Sequence, residues 1–318
     1  MISDYYCRGV LAKVLTTTPM SNGLAGLAIN ISSMLPAGSS ERLDFLGTVA
    51  PMREWQGSRQ GVQPIEYNFA IKNRKFESTV LLPKDWIVND KTGNVSQAMS
   101  QLTNRYAQWR PKLIADLLNN GTSAGAYACF DGLAFYSATH TYGQGVTVNN
   151  IVAFTTGAGP ALITAYEAAK SLVKAIQQII TFLDDRGEPI NEDITDLTVV
   201  VPGIANSQMA AVYYQAINLP KLDTGSGSVD NPVFGVGKMF NIHLLVSPRI
   251  TGNNVHVINT SANAAPVVFQ ENVAERLSSL KGAGSDFEHD HDAWEMGMKS
   301  VGNTGFGRIT DAVQIQYT

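Results

Sequence analysis

The chain has 318 residues, of which 44% are hydrophobic and only 16% charged, and its formal net charge is −4. An acidic balance argues against a protein that binds nucleic acid by neutralising phosphates. A charged fraction well below the ~25% usual for soluble domains fits either extensive burial between subunits or a large monomer with a neutral surface.

Cys7 and Cys129 form no CxxC and no paired spacing, so neither a disulfide framework nor a zinc site is expected. No apolar run approaches the ~20 residues of a membrane span. The N-terminus lacks the basic start and unbroken apolar core of a signal peptide, so synthesis in a reducing, intracellular place is expected.

Taken in order, Asp4 to Leu15 fits a short amphipathic helix, which Thr16 to Gly23 breaks. Leu24, Leu27, Ile29 and Ile31 then sit among Gly, Asn and Ser. Met1 to about Asp44 therefore reads as an extended arm with little core of its own, ordered by neighbours.

From Pro64 the chain alternates, with Ile65, Tyr67, Phe69 and Ile71 on one side. After Lys72-Asn73-Arg74-Lys75 the alternation resumes through Phe76, Ser78, Val80 and Leu82, which predicts a β-hairpin ending at Pro83. A lone two-stranded ribbon is marginal in water, so it lies on the rest of this chain or on another copy. Asn73-Arg74 is its expected turn.

The spacing of Met99, Leu102, Tyr106, Trp109, Leu113 and Leu117 predicts a helix over Ser96 to Asn119, capped by Asn94 or Ser96. Pro111 inside it predicts a kink or break near Trp109. Gly121 to Gly159 reads as loop, with a turn and short strand at Phe130 to Tyr136. A second helix is expected from Pro160 to about Asp184, with Leu162, Tyr166, Ala169, Val173, Ile176 and Ile180 as its buried stripe. Leu197 to Pro202 is a strand buried on both faces. A helix from Ile204 to Asn218 follows, then Asp223 to Asp230 with linker composition, then strands at Ile242–Val246 and Val255–Ile258. Pro160 to Ile258 thus forms a compact α/β unit. β signals return at Val267–Phe269, Ala293–Met298 and Ala312–Tyr317.

Chemistry is sparse. Glu288, His289, Asp290, His291 and Asp292 are the one cluster with metal-ligand character. Two histidines two apart point to opposite faces of a strand, so a solvated acidic loop is the expectation and no metal is assigned. His140 is isolated, and His243 and His256 fall inside apolar strands, where hydrogen-bonded structural roles are expected. No Gly-rich run carries a Walker lysine, and no GxSxG occurs. Asp184 and Asp185 at a helix end make an unattractive acid/base pair. No catalytic residue and no cofactor are expected.

Three stretches resemble a known family. Phe45-Leu46-Gly47 through Pro51-Met52-Arg53-Glu54-Trp55-Gln56-Gly57-Ser58-Arg59, followed by Tyr67 to Val80, resembles the major head subunit of Mu-like tailed phages. Asp184 to Ile190 with Leu197 to Pro202 is similar to a segment of tailed-phage major capsid proteins. Phe269-Gln270-Glu271 and Gly305-Phe306-Gly307 also look like the Mu-type subunit, where an acidic segment precedes the penultimate strand. The arm before Phe45 departs from the pattern, and the Asp-rich segment after Trp86 is reduced to Asn89-Asp90.

The resemblance implies an α+β chain with the Hong Kong 97-type capsid fold. It assigns residues 1–44 to an N-terminal arm, 45–89 to an extended loop, 90–159 to a peripheral domain with a spine helix and 160–259 to an axial domain. It also offers Gln56 to Gly61 as the loop's outer end, which would leave Asn73-Arg74 as a bend. Residues 260–318 complete the peripheral domain. It implies a structural protein, not an enzyme, that assembles as hexamers and pentamers into an icosahedral head. The shell would be made in the host cytoplasm and end in the virion. Portal, scaffold and decoration proteins would be partners, and double-stranded DNA would be enclosed by non-specific proximity, with no membrane. Trp55 is the expected inter-subunit anchor, with Arg53, Glu54, Arg59, Arg74, Lys75 and Glu77 as charge partners. The alternatives are an encapsulin-like nanocompartment shell and a metal-dependent enzyme using residues 288–292.

Overall fold

The computed structural model describes residues 23–33, 35–46, 66–88, 93–125, 127–142, 145–157, 159, 162–184, 186–203, 207–224, 227–236, 240–261, 264, 266–272 and 277–318. Two sheets and one long helix organise it.

The first sheet is built on a 14-residue strand near the C-terminus. Its members are β1 (Ala28–Ser32), β4 (Arg74–Pro83), β13 (Val267–Glu271), β14 (Leu277–Lys281) and β15 (Ala293–Phe306). β4 runs antiparallel along one edge of β15, from Ala293↔Pro83 to Gly302↔Arg74. β13 and β14 follow one another along the other edge, and β1 adds in parallel beyond β13. The backbones come close here. A Cβ on Gly302 would lie 2.4 Å from the Gln270 carbonyl oxygen, so only glycine fits. The Gly302 to Gly307 run is thus strand and strand end rather than a loop.

Among the described residues, the expected pairing of 66–71 with 76–82 does not occur. β3 (Glu66–Lys72) instead pairs with β2 (Ser40–Leu46), from Ser40↔Lys72 to Leu46↔Glu66. Asn73 is the bend between the two sheets, and Gln56 to Gly61, the other position considered for the outer end, lies outside the described residues. β2 also begins inside the segment expected to be arm. Nor is residue 24 onward without a core. Leu24 and Leu27 are buried against the chain's own interior, and β1 is paired along its length. The helix expected over Asp4 to Leu15 lies outside the described residues.

The second sheet, in the order β11-β8-β12-β16-β7, joins β7 (Ile151–Phe154), β8 (Asp196–Pro202), β11 (Asn241–Ser247), β12 (Val255–Asn259) and β16 (Ala312–Tyr317). β8 is an interior strand, between β11 and β12, and Leu197 and Val199 to Val201 are all fully buried, as an apolar run without alternation requires. The last strand, β16, pairs with β12 and β7. It therefore belongs to the α/β unit and not with the other C-terminal strands.

Short helices α1 (Lys84–Val88), α5 (Pro232–Val236) and α6 (Asp286–His291) accompany three longer ones: α2 (Asn94–Asn119), α3 (Ala165–Ile180) and α4 (Ser207–Asn218). α2 starts at Asn94 and runs through Pro111 without a break, with Gly93 at its N-cap. α3 starts five residues later than the proline suggests. Thr164 caps it, and Glu167 returns the hydrogen bond to form a capping box. Its buried face is Ala168, Leu172, Ala175 and Ile179, and Leu162 stays exposed. The expected linker at 223–230 is a hairpin, β9 (Lys221–Asp223) against β10 (Ser228–Asp230). Tyr136, expected in a short strand, is buried in a turn region, where its hydroxyl lies 3.0 Å from His256 Nδ1.

Two cores result. The large one fills the α/β unit and takes in Ile114, Leu117 and Leu118 from the second half of α2. The small one packs Val95, Met99 and Leu102 from its first half on Leu82, Trp294, Met296 and Met298.

Candidate assembly surface

The ribbon is rooted at Asn73, which is 1% exposed. Its side-chain amide donates to Ser33 Oγ and to the Leu35 carbonyl, each at 2.9 Å, and Gln270 Nε2 donates to its Oδ1 at 2.7 Å. Gly38 N–H donates to the Asn73 carbonyl at 2.8 Å, and Asn73 N–H to the Ser39 carbonyl at 2.9 Å. A buried amide with its donors and its oxygen engaged costs little to bury and much to disturb. The residue that pattern reading took for a turn tip is thus the fixed base from which β2 and β3 leave the body.

A second anchor ties the N-terminal strand to α2. The Arg110 guanidinium bonds Asn30 Oδ1 and lies 4.5 Å over the Phe269 ring. Glu271 accepts from Tyr106 at 3.2 Å and from Ser300 at 3.0 Å. Burial lowers the Arg110 pKa, and the Glu271 charge opposes that shift.

β4 alternates as its sequence requires. Phe76, Ser78, Val80 and Leu82 turn toward α2, while Lys75, Glu77, Thr79 and Leu81 are exposed. Glu77 stands in register with Lys299 across the strand pair, and Arg74 folds back with its guanidinium 5.5 Å from the Phe76 ring centre. Arg74, Lys75 and Glu77 are thus brought onto one strand at the base of the ribbon. Trp55, Arg53, Glu54 and Arg59 lie outside the described residues.

Where β4 faces α2, a groove of about 530 Å³ opens. Phe76 and Met298 line it from the sheet and Trp109 from the helix, with Arg105, Lys112 and Arg249 around it. Asn119 fixes Arg249, since its side chain donates to the Arg249 carbonyl at 2.9 Å and accepts from Thr251 N–H at 3.0 Å. Sequence reading counted Trp109 as core and missed the groove. The signal was Arg105, Trp109 and Lys112 at i, i+4 and i+7, one helix face carrying two cations around an aromatic.

The 288–292 cluster does not converge. These residues lie on and just after α6, a single short helix and not a loop. Glu288 accepts from Gly284 N–H at 2.7 Å and pairs with Lys84 at 3.2 Å. The Gly284 amide, the Trp294 side chain and Lys84 together hold its carboxyl below the usual range. His291 stacks on Phe287, while His289 reaches only Asp290, at 3.4 Å. No group of three or more metal-ligating side chains converges among the described residues. His256 is buried as expected. His243 is exposed beside Asp196, because β11 is the edge of its sheet.

Residues 21–169 match the family of the Mu-like prophage major head subunit gpT. The major capsid protein of Escherichia phage Mu is 28% identical over 120 residues, a stretch spanning 36% of this chain and 38% of that protein. The match begins at residue 21, so it takes in residues of the arm where departure was expected. Among solved structures, the capsid of cyanophage P-SCSP1u superposes with a TM-score of 0.59 at 15% identity, over 92% of this chain and 87% of that one. The procapsid of bacteriophage JBD30 gives 0.53 at 17% identity, over 98% and 72%. The matched family and the Mu relative are structural capsid proteins, not enzymes. The match to the Mu-like head-subunit family covers just under half of the chain, and the fold is the Hong Kong 97-type fold of phage capsids.

Proposed function

We propose that the chain is the major shell subunit of a tailed-phage head, assembling as hexamers and pentamers around double-stranded DNA. The observation that carries this is the joint one: a head-subunit match at residues 21–169 within a capsid fold covering 92% of the chain. The low charge fraction supports it, because a shell subunit buries much of its surface against copies of itself. The family match favours a phage head over a cargo-holding nanocompartment. The dispersed 288–292 cluster gives an enzyme no site. Portal and scaffold proteins are the partners a head would need, and a decoration protein is an optional further one.

In this reading the β2–β3 ribbon lies on a neighbouring copy. Trp55 is its anchor, and Arg53, Glu54, Arg59, Arg74, Lys75 and Glu77 are charge partners. The test removes the ribbon's outer part alone. Deleting residues 57–83 would also remove β4 and the buried Leu82, so it would damage the subunit itself. Replacing residues 47–65 by Asn-Gly closes the ribbon at Leu46↔Glu66 with a favoured hairpin turn. Electron microscopy and sedimentation of the full chain should show shells, and the shortened chain should give folded subunits or rings. Normal shells from the shortened chain would overturn the ribbon's role, and absence of any particle from the full chain with its partners would overturn the shell.

A further inference from the structure

We infer that the groove between β4 and α2 receives the acidic corner Asp286–Asp292 of a second copy. The inference rests on the reading of the chain as a shell subunit and names one of its contacts.

The groove carries three cations, Arg105, Lys112 and Arg249, against one carboxylate, Glu77. None of the three cations has an ion-pair partner among the described residues, although the chain as a whole is acidic. A carboxylate-bearing partner answers these unpaired cations. Phe76, Trp109 and Met298 add an apolar floor that suits a protein segment and gives a phosphate backbone nothing to bind.

The matching surface is on the same chain. Asp286, Asp290 and Asp292 are exposed on and just after α6, and the nearby cations Lys84 and Lys281 are already paired with Glu288 and Glu295. A subunit cannot satisfy its own groove. Asp292 precedes β15, and Ser300, at the groove, lies eight residues further along the strand, about 27 Å at the usual rise. The two patches differ and sit apart, which is the arrangement of a heterologous, head-to-tail contact that closes into rings.

Arg105→Glu with Lys112→Glu should abolish shells while leaving the thermal unfolding of the subunit unchanged, since both residues are exposed. Asp290→Lys with Asp292→Lys should do the same, and the four changes together should restore shells. In a Cys7→Ser, Cys129→Ser background, mixing Arg105→Cys copies with Asp290→Cys copies should give a disulfide-linked dimer. Adding Lys112→Glu to the first copy or Asp292→Lys to the second should lower its yield at least ~10-fold, because like charges then face each other. Shells that survive the groove reversal would overturn the inference. So would a double reversal that restores nothing, or shells that form normally but lose their DNA. If the unmodified chain forms no shell, the shell reading fails, and the cross-link still decides this contact by itself.

Discussion

The two sheets divide the work of the molecule. The α/β unit closes on itself: β8 and β12 are buried along nearly their whole length, and the helices that cover them add a single large core. The β4–β15 sheet is only half covered. The first half of α2 packs on it through a small core, while a row of exposed side chains on β4, a groove and the base of the ribbon stay open. A region with a complete core folds on its own account. A region that leaves strand edges and cations unmatched is shaped by what it meets.

That contrast is open to attack by mutation. Leu172→Ala, at the centre of the large core, should cost about 2–5 kcal/mol in denaturant unfolding. Met99→Ala should fall at the lower end of that range, because the small core has fewer neighbours to lose. Equal costs would break the comparison.

Acid should act on the α/β unit first. Burial lowers the His256 pKa from 6.5 to about 4, so the unfolded chain takes up the proton at higher pH than the folded one. Its contribution to stability is therefore complete above pH 6.5 and is lost as pH falls toward 4, a loss on the order of 3 kcal/mol. His256→Gln should flatten the stability profile across that window if the Tyr136 contact survives.

Asn73→Ala should cost about 2 kcal/mol, since Gln270 and the Ser33–Leu35 segment lose their partner. Hydrogen exchange should rise at β2 and β3 and leave β8 protected. The smallest effect is expected for Thr164→Ala, which removes one side of the capping box on α3 at a cost of about 1 kcal/mol.

What the sequence determined by itself was whatever local pattern decides. The run Leu197 to Pro202, short, rich in Val and ended by proline, reads as a strand buried on both faces. The 3.6-residue stripe from Met99 to Leu117 was strong enough to carry a helix through Pro111. The likeness to phage head subunits was legible too, from the Phe45–Arg59 and Tyr67–Val80 stretches.

Tertiary structure alone decided pairing and partners. Alternation shows that residues 66–72 and 74–83 are strands but cannot say to what they bond. Strand partners are set by contacts distant in sequence, and β2 and β15 outcompeted the local hairpin. The same holds for β16, for β1 and for Asn73, whose three side-chain partners lie about 40 and 200 residues away. The groove is legible only once β4, α2 and the loop bearing Arg249 stand together. A strand's pattern records which face is dry, not which strand or which subunit keeps it so.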